Sequence, residues 1–164
     1  MDLSQKIANI TAQNTGLESF LLGSYAISPN KKFNKWFYKV ANVSSVEVSK
    51  LDFSAENINH FIQATGLTKD SLATVLGISR SKLYNILKDG ESLEPKYKPT
   101  FVMTIKLWEK GIAAFDGNKD SFETWLQMPN TSLGGLIPFE LLSNEPGRRE
   151  LEKALDRIEF SVYG

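Results

Sequence analysis

The chain has no cysteine, and that absence removes thiolate nucleophiles, disulfides and every cysteine-based zinc site. It has one histidine, His60, so a two-histidine metal site cannot be built, and serine–histidine catalysis would rest on that residue alone. His60 lies in "AENINHFIQ", where Ile58, Phe61 and Ile62 mark a helix with a buried face, so a helix-surface or satisfied core role is expected. No run of about 18 apolar residues occurs, and "MDLSQKIANI" lacks a signal-peptide core, which makes the cytoplasm the expected compartment. Three motifs are missing as well: the phosphate loop G-x-x-x-x-G-K-[ST], the dinucleotide fingerprint G-x-G-x-x-G and the nucleophile elbow G-x-S-x-G. An enzyme would have to use a carboxylate pair such as Glu150 with Glu159, whose spacing suggests no shared chemistry. No catalysis, no cofactor and no metal are expected.

What is present looks like an ordinary globular protein: 164 residues, 41% hydrophobic and 23% charged, enough for one domain or two small ones. The formal net charge is zero, yet it is unevenly spread. Residues 1–50 carry six lysines against three acids, and residues 121–164 carry four basic against seven acidic groups. The two ends are expected to meet different partners, and a local basic face stays compatible with sequence-specific DNA contact.

Apolar residues recur at three- and four-residue spacing along most of the chain, which predicts an all-α fold. Helices are expected near residues 3–10, 17–22 and 33–40. In the last of these Phe33, Trp36, Phe37 and Val40 share one side and Lys32, Lys35 and Lys39 another. Core packing is the favoured role of this "KKFNKWFYKV" stretch, with dimerisation or phosphate contact as alternatives. "VSSVEVSKL" is the one β-like segment, or an extended linker. Ser54, Thr68, Ser79 and Asp120 stand where helix N-caps belong, and Asp120 with Glu123 reads as a capping box. Three regions follow: 1–50, helical and of unknown role; 51–114, with a helix-turn-helix; and 115–164.

The helix-turn-helix signal lies in "TKDSLATVLGISRSKLYNILKDGE". Such a unit needs a small residue where its helices cross, a glycine four residues on for a left-handed turn, and apolar anchors behind the second helix. Ala73, Gly77, Leu83 and Ile86 fill those positions, with Leu72, Leu76 and Ile78 in the shared core. Arg80, Ser81, Tyr84, Asn85 and Lys88 then line the opposite side of the second helix, which Ser79 caps, and Lys82 lies beside them. These side chains suit bases and phosphates; the alternative is a helical pair whose polar face meets only water. A lone module binds DNA weakly, so two half-sites are expected to be met by a homodimer, or by a partner that creates a dimer.

Beyond it, a short helix from 121 to 128 carries Phe122, Trp125, Leu126 and Met128 and stops at Pro129. In "NTSLGGLI" Gly134 and Gly135 are expected at positive φ, Pro138 opens the helix "PFELLS", and Asn144 caps a final helix with the stripe Leu151, Leu155 and Ile158.

The order helix-turn-helix, W-L-x-x-P-N-x-x-L-G-G-x-x-P, L-L, a glycine, an apolar stripe and R-I-E with an aromatic terminus resembles the Xre/ParS/MbcA family of antitoxins. The likeness covers roughly residues 51–164. Trp125, Leu126, Pro129, Asn130, Leu133, Gly134, Gly135, Pro138, Leu141, Leu142 and Gly147 match the signature of its toxin-binding domain, and Arg157, Ile158, Glu159 and Tyr163 its terminal segment. Two features depart: "SRSKLYNILK" has Arg80 alone where members often have an arginine-rich recognition helix, and Ser161 replaces the family's usual glycine near the end.

The resemblance implies a type II toxin-antitoxin role. A dimer would repress its own operon through the helix-turn-helix and block a partner toxin with its C-terminal domain. That partner is commonly a RES-domain enzyme that degrades NAD. Residues expected at the toxin are Leu133, Gly134, Gly135, Leu136, Pro138, Phe139, Arg148 and the tail Phe160, Val162, Tyr163 and Gly164. Trp125, Leu126, Leu141, Leu151 and Leu155 have core spacing instead. The alternative function is a helix-turn-helix repressor with a C-terminal dimerisation domain and no toxin.

Overall fold

The computed structural model describes residues 26–162, which form an all-α protein with no strand among them. The expected helices at 3–10 and 17–22 lie outside the described residues. Seven α-helices follow in order: α1 (Lys31–Ala41), α2 (Ala55–Thr65), α3 (Lys69–Leu76), α4 (Arg80–Asp89), α5 (Lys98–Ala114), α6 (Lys119–Gln127) and α7 (Glu145–Val162).

The starts of four helices are fixed by side chains that accept from a backbone N–H three residues on: Asn30 for α1, Ser54 for α2, Thr68 for α3 and Ser79 for α4. The sequence placed the last three correctly. At α6 the cap is Asn118, which accepts from the Ser121 N–H at 3.0 Å, and not Asp120. Asp120 falls one residue into the helix, where its charge still favours the positive end of the dipole. Glu123 meets no cap; it pairs with Lys119 one turn back.

Helix α5 is the spine. Its buried residues include Phe101, Val102, Ile105, Leu107, Trp108 and Ile112, and α1, α3, α6 and α7 all pack against it. The aromatic face of α1 is core, as expected, with Phe33, Phe37 and Val40 buried, while Lys32, Lys35 and Lys39 stay exposed. Trp36 is half-buried and donates its indole N–H to the Asp52 carbonyl at 2.7 Å. Aromatic rings run on from there in edge-on or tilted contact: Trp36 to Phe53 at 5.8 Å, Phe53 to Phe101 at 5.3 Å, Phe101 to Phe61 at 5.1 Å, Phe61 to Trp108 at 5.8 Å, Trp108 to Phe122 at 5.6 Å. One continuous core therefore joins α1 to the C-terminal helices.

The β-like "VSSVEVSKL" forms a 3₁₀ turn, Ser45–Lys50, not an extended strand. Two lysines of α5 hold this region by its backbone: Lys98 donates to the Leu51 carbonyl at 3.1 Å and Lys106 to the Val43 carbonyl at 2.8 Å. Alternating Val46 and Val48 suggested a strand, but no partner strand exists among the described residues; the Val43, Ser49 and Leu51 carbonyls accept from lysine and the Ser44 and Val48 carbonyls from the turn's own N–H groups.

Candidate functional site

Two surfaces carry the chemistry that the sequence singled out. The first is built by α3 and α4. Gly77 ends α3 at φ 68°, a conformation that favours glycine, and its N–H closes on the Thr74 carbonyl. Buried Leu72, Ala73, Leu76, Leu83 and Ile86 lock the two helices together, and Ile78 is half-buried between them. The outward side of α4 is therefore fixed by packing behind it. Arg80, Ser81, Tyr84, Asn85 and Lys88 are all exposed there, and Arg80, Ser81, Tyr84 and Asn85 line a shallow open depression of about 450 Å³.

Lys82 stands apart from that face. Its ammonium is ion-paired with Glu94 and lies 5.0 Å from the Tyr97 ring centroid, so it clamps α4 to the turn at Pro95–Tyr97. The hydrogen bond to Glu94 holds the lysine pKa above its ordinary value and the glutamate's below. Lys69 of α3 joins the exposed face instead, its ammonium 4.8 Å from the Tyr84 ring centroid. Nothing in the spacing along α4 pointed to Lys69, because it reaches Tyr84 across the turn.

The second surface runs from the end of α6 to the start of α7. Asn130 organises it. Its side-chain oxygen accepts from the Ser132 N–H at 2.9 Å, its carbonyl from the Gly135 N–H at 2.8 Å, and its own N–H donates to the Leu136 carbonyl at 2.9 Å. Gly134 and Gly135 take φ of 69° and 84°, as expected, and the loop closes into a tight knuckle. Two of its apolar side chains face out, Met128 at 58% exposed and Leu136 at 50%, while Leu133 and Ile137 are half-buried. Beside them lies an open groove of about 600 Å³ lined by Ser121, Thr124, Trp125, Met128, Pro129 and Asn130.

The remaining candidates divide. Leu133 is half-buried, Phe139 is half-buried against the core, and Pro138 is fully buried, so Pro138 offers no surface. It opens Pro138–Ser143, the span expected as the helix "PFELLS", which winds as a 3₁₀ turn. Leu142 is buried and Leu141 half-buried. Arg148 donates to the Leu142 carbonyl at 2.8 Å, and burial pulls its pKa below the ordinary value, so it serves this turn from within. Trp125 is half-buried, while Leu126, Leu151 and Leu155 are core. Phe160 is 73% exposed at the far end of α7, about 22 Å along the helix axis from Glu145. Val162 ends α7; Tyr163 and Gly164 lie outside the described residues. Like Lys69, Met128 and Asn130 were not among the expected contact residues: Met128 was read only as part of its helix and Asn130 only as part of the family signature.

Elsewhere burial raises the carboxyl pKa of Glu109, with Glu159 adding repulsion, and that of Glu123 against the pull of Lys119. The described residues hold no cluster of three or more potential metal ligands, and no helix among them is long and apolar enough to cross a membrane.

The all-helical body thus carries two distinct surfaces, a self-bonded knuckle with exposed apolar side chains and an exposed polar helix face. Residues 110–160 match the family model described as the antitoxin Xre/MbcA/ParS C-terminal toxin-binding domain. A curated relative, Antitoxin Xre of Yersinia enterocolitica serotype O:8 / biotype 1B, is 26% identical over 119 residues, 72% of this chain and 80% of its own. Both likenesses point to the Xre/MbcA/ParS antitoxins, with the toxin-binding domain of that family matched at residues 110–160. The matched segment begins in the last turns of α5, where Gly111 lies against the Phe122 ring, so the matched region includes part of the spine.

Proposed function

We propose that this protein is an antitoxin that neutralises a RES-type toxin by covering it with the knuckle at 128–137 and the end of α7, and that it binds operator DNA as a homodimer through α3 and α4. The observation that carries the toxin half is the exposed pair Met128 and Leu136 on a loop whose backbone is hydrogen-bonded to itself. Large apolar side chains held out on a rigid support cost little entropy on association and serve as interface anchors. The DNA half is supported by the exposed Arg80, Ser81, Tyr84, Asn85 and Lys88 and by the Ser79-capped start of α4, whose free amides suit a phosphate.

The test is co-expression with the neighbouring open reading frame. Growth arrest by that frame alone, relief by this chain and co-purification of the two are the expected result. Full repression of the operon with no toxic neighbour and no rescue would favour a plain repressor.

The two lysines of α4 should separate in DNA binding. Lys88→Ala is expected to lower the salt slope of log affinity by about one unit, as for a lost phosphate contact. Lys82→Ala is expected to leave the slope unchanged, because its ammonium is spent on Glu94. A one-unit fall with Lys82→Ala would mean that the lysine leaves Glu94 for a phosphate.

A further inference from the structure

We infer that Asp70 is a positioning residue that aims Arg80 at a guanine in the major groove; this rests on the DNA-binding reading above. Asp70 lies in the first turn of α3 and Arg80 is the first residue of α4, so the two meet across the turn. The Asp70 Oδ1 is 2.6 Å from the Arg80 Nε, a close ion pair that shields this oxygen from solvent without an aligned hydrogen bond. On another side the guanidinium carbon is 5.9 Å from the Tyr84 ring centroid. Arg80 is thus held by a carboxylate and an aromatic ring although it stands on the surface.

Both partners of the pair are exposed, and exposed pairs contribute little to folding. A carboxylate on a face that approaches phosphates also repels them. Its placement makes sense when it orients a cation that reads a base. The carboxylate meets the guanidinium at Nε, the chain-side nitrogen, which leaves Nη1 and Nη2 as the outer end. Two parallel donors match O6 and N7 of guanine, and residues at the start of the second helix are those that reach base edges. Restraining the arginine beforehand also reduces the rotamer freedom lost on binding.

Full-length wild type, Arg80→Ala, Asp70→Asn and Asp70→Glu are each incubated with a randomised duplex DNA library, and the bound fraction is sequenced. Wild type is expected to enrich a motif that contains guanine. Arg80→Ala should lose about tenfold or more of the guanine preference at one position. Asp70→Asn should lose most of that preference at the same position while binding random duplex as well as wild type or better, and Asp70→Glu should restore it. A merely structural role would not move one base position. Guanine preference unchanged in Asp70→Asn, with or without tighter binding, overturns the positioning role and leaves the DNA reading standing, as does a loss at a different position from Arg80→Ala. A wild type that enriches no sequence overturns both.

Discussion

Gly147→Ala is expected to unfold the C-terminal region at a temperature well below that of wild type. Gly147 is buried in the first turn of α7, where its N–H donates to the Asn144 side chain at 2.8 Å. A methyl there would overlap the Leu141 carbonyl and stand 2.9 Å from the Leu141 Cα. Those atoms are backbone, fixed by buried Leu142 on one side and by the Arg148 contact to the Leu142 carbonyl on the other. Neither element has room to retreat, so the turn Pro138–Ser143 and α7 must separate. In an exposed helix the same change would stabilise by up to about 1 kcal/mol. Here overpacking should cost about 3 kcal/mol, and a midpoint lower by roughly 6–12 °C follows for a chain of this size. Gly134→Ala is the control: it has open space around it and φ of 69°, so it should cost only about 1 kcal/mol. Calorimetry or thermal circular dichroism decides between them. A Gly147→Ala midpoint no lower than that of Gly134→Ala would mean that α7 is free to shift.

The double substitution Met128→Asp with Leu136→Asp is expected to do the reverse: remove toxin binding and leave the fold alone. Both side chains are at least half exposed, and surface changes of that kind usually stay within about 0.5 kcal/mol of wild-type stability. As anchors of an interface they should each be worth about 2 kcal/mol, and a buried carboxylate adds its own desolvation cost. Affinity for the partner toxin should fall by about a hundredfold or more, measured by titration calorimetry, and growth rescue should fail at equal expression. Undiminished affinity would move the interface away from the knuckle, with exposed Phe160 at the far end of α7 as the next element to change.

The helical framework was legible because its causes are local. Ser54, Thr68 and Ser79 cap where a hydroxyl precedes an apolar repeat, and Gly77 ends α3 because the turn there takes a positive φ. The α3–α4 pair could be read from Ala73, Gly77, Leu83 and Ile86 alone, since spacing along two short helices fixes which sides meet. The cap of α6 was misplaced by two residues, because Asn118 and Asp120 both fit the local rule and only the observed start of the helix chooses between them. Pro138 was read as surface and is buried, since a proline opening a turn says nothing about which neighbour closes over it.

Charged side chains were the least legible. Lys82 and Lys88 look alike in the sequence, yet Glu94 takes one and leaves the other exposed. Arg148 was a surface candidate and serves a carbonyl. A long flexible side chain samples many partners, and the one it keeps depends on groups that only folding brings near. By itself, then, the sequence determined the α-helices of the described residues and the apolar sides they bury, which follow from neighbours within a few residues, and the family signature, which is a pattern of residue types along the chain. The tertiary structure alone decided which cations remain free on the surface, which apolar residues of the knuckle face outward, and why Gly147 admits no side chain, because each depends on contacts across separate helices and turns.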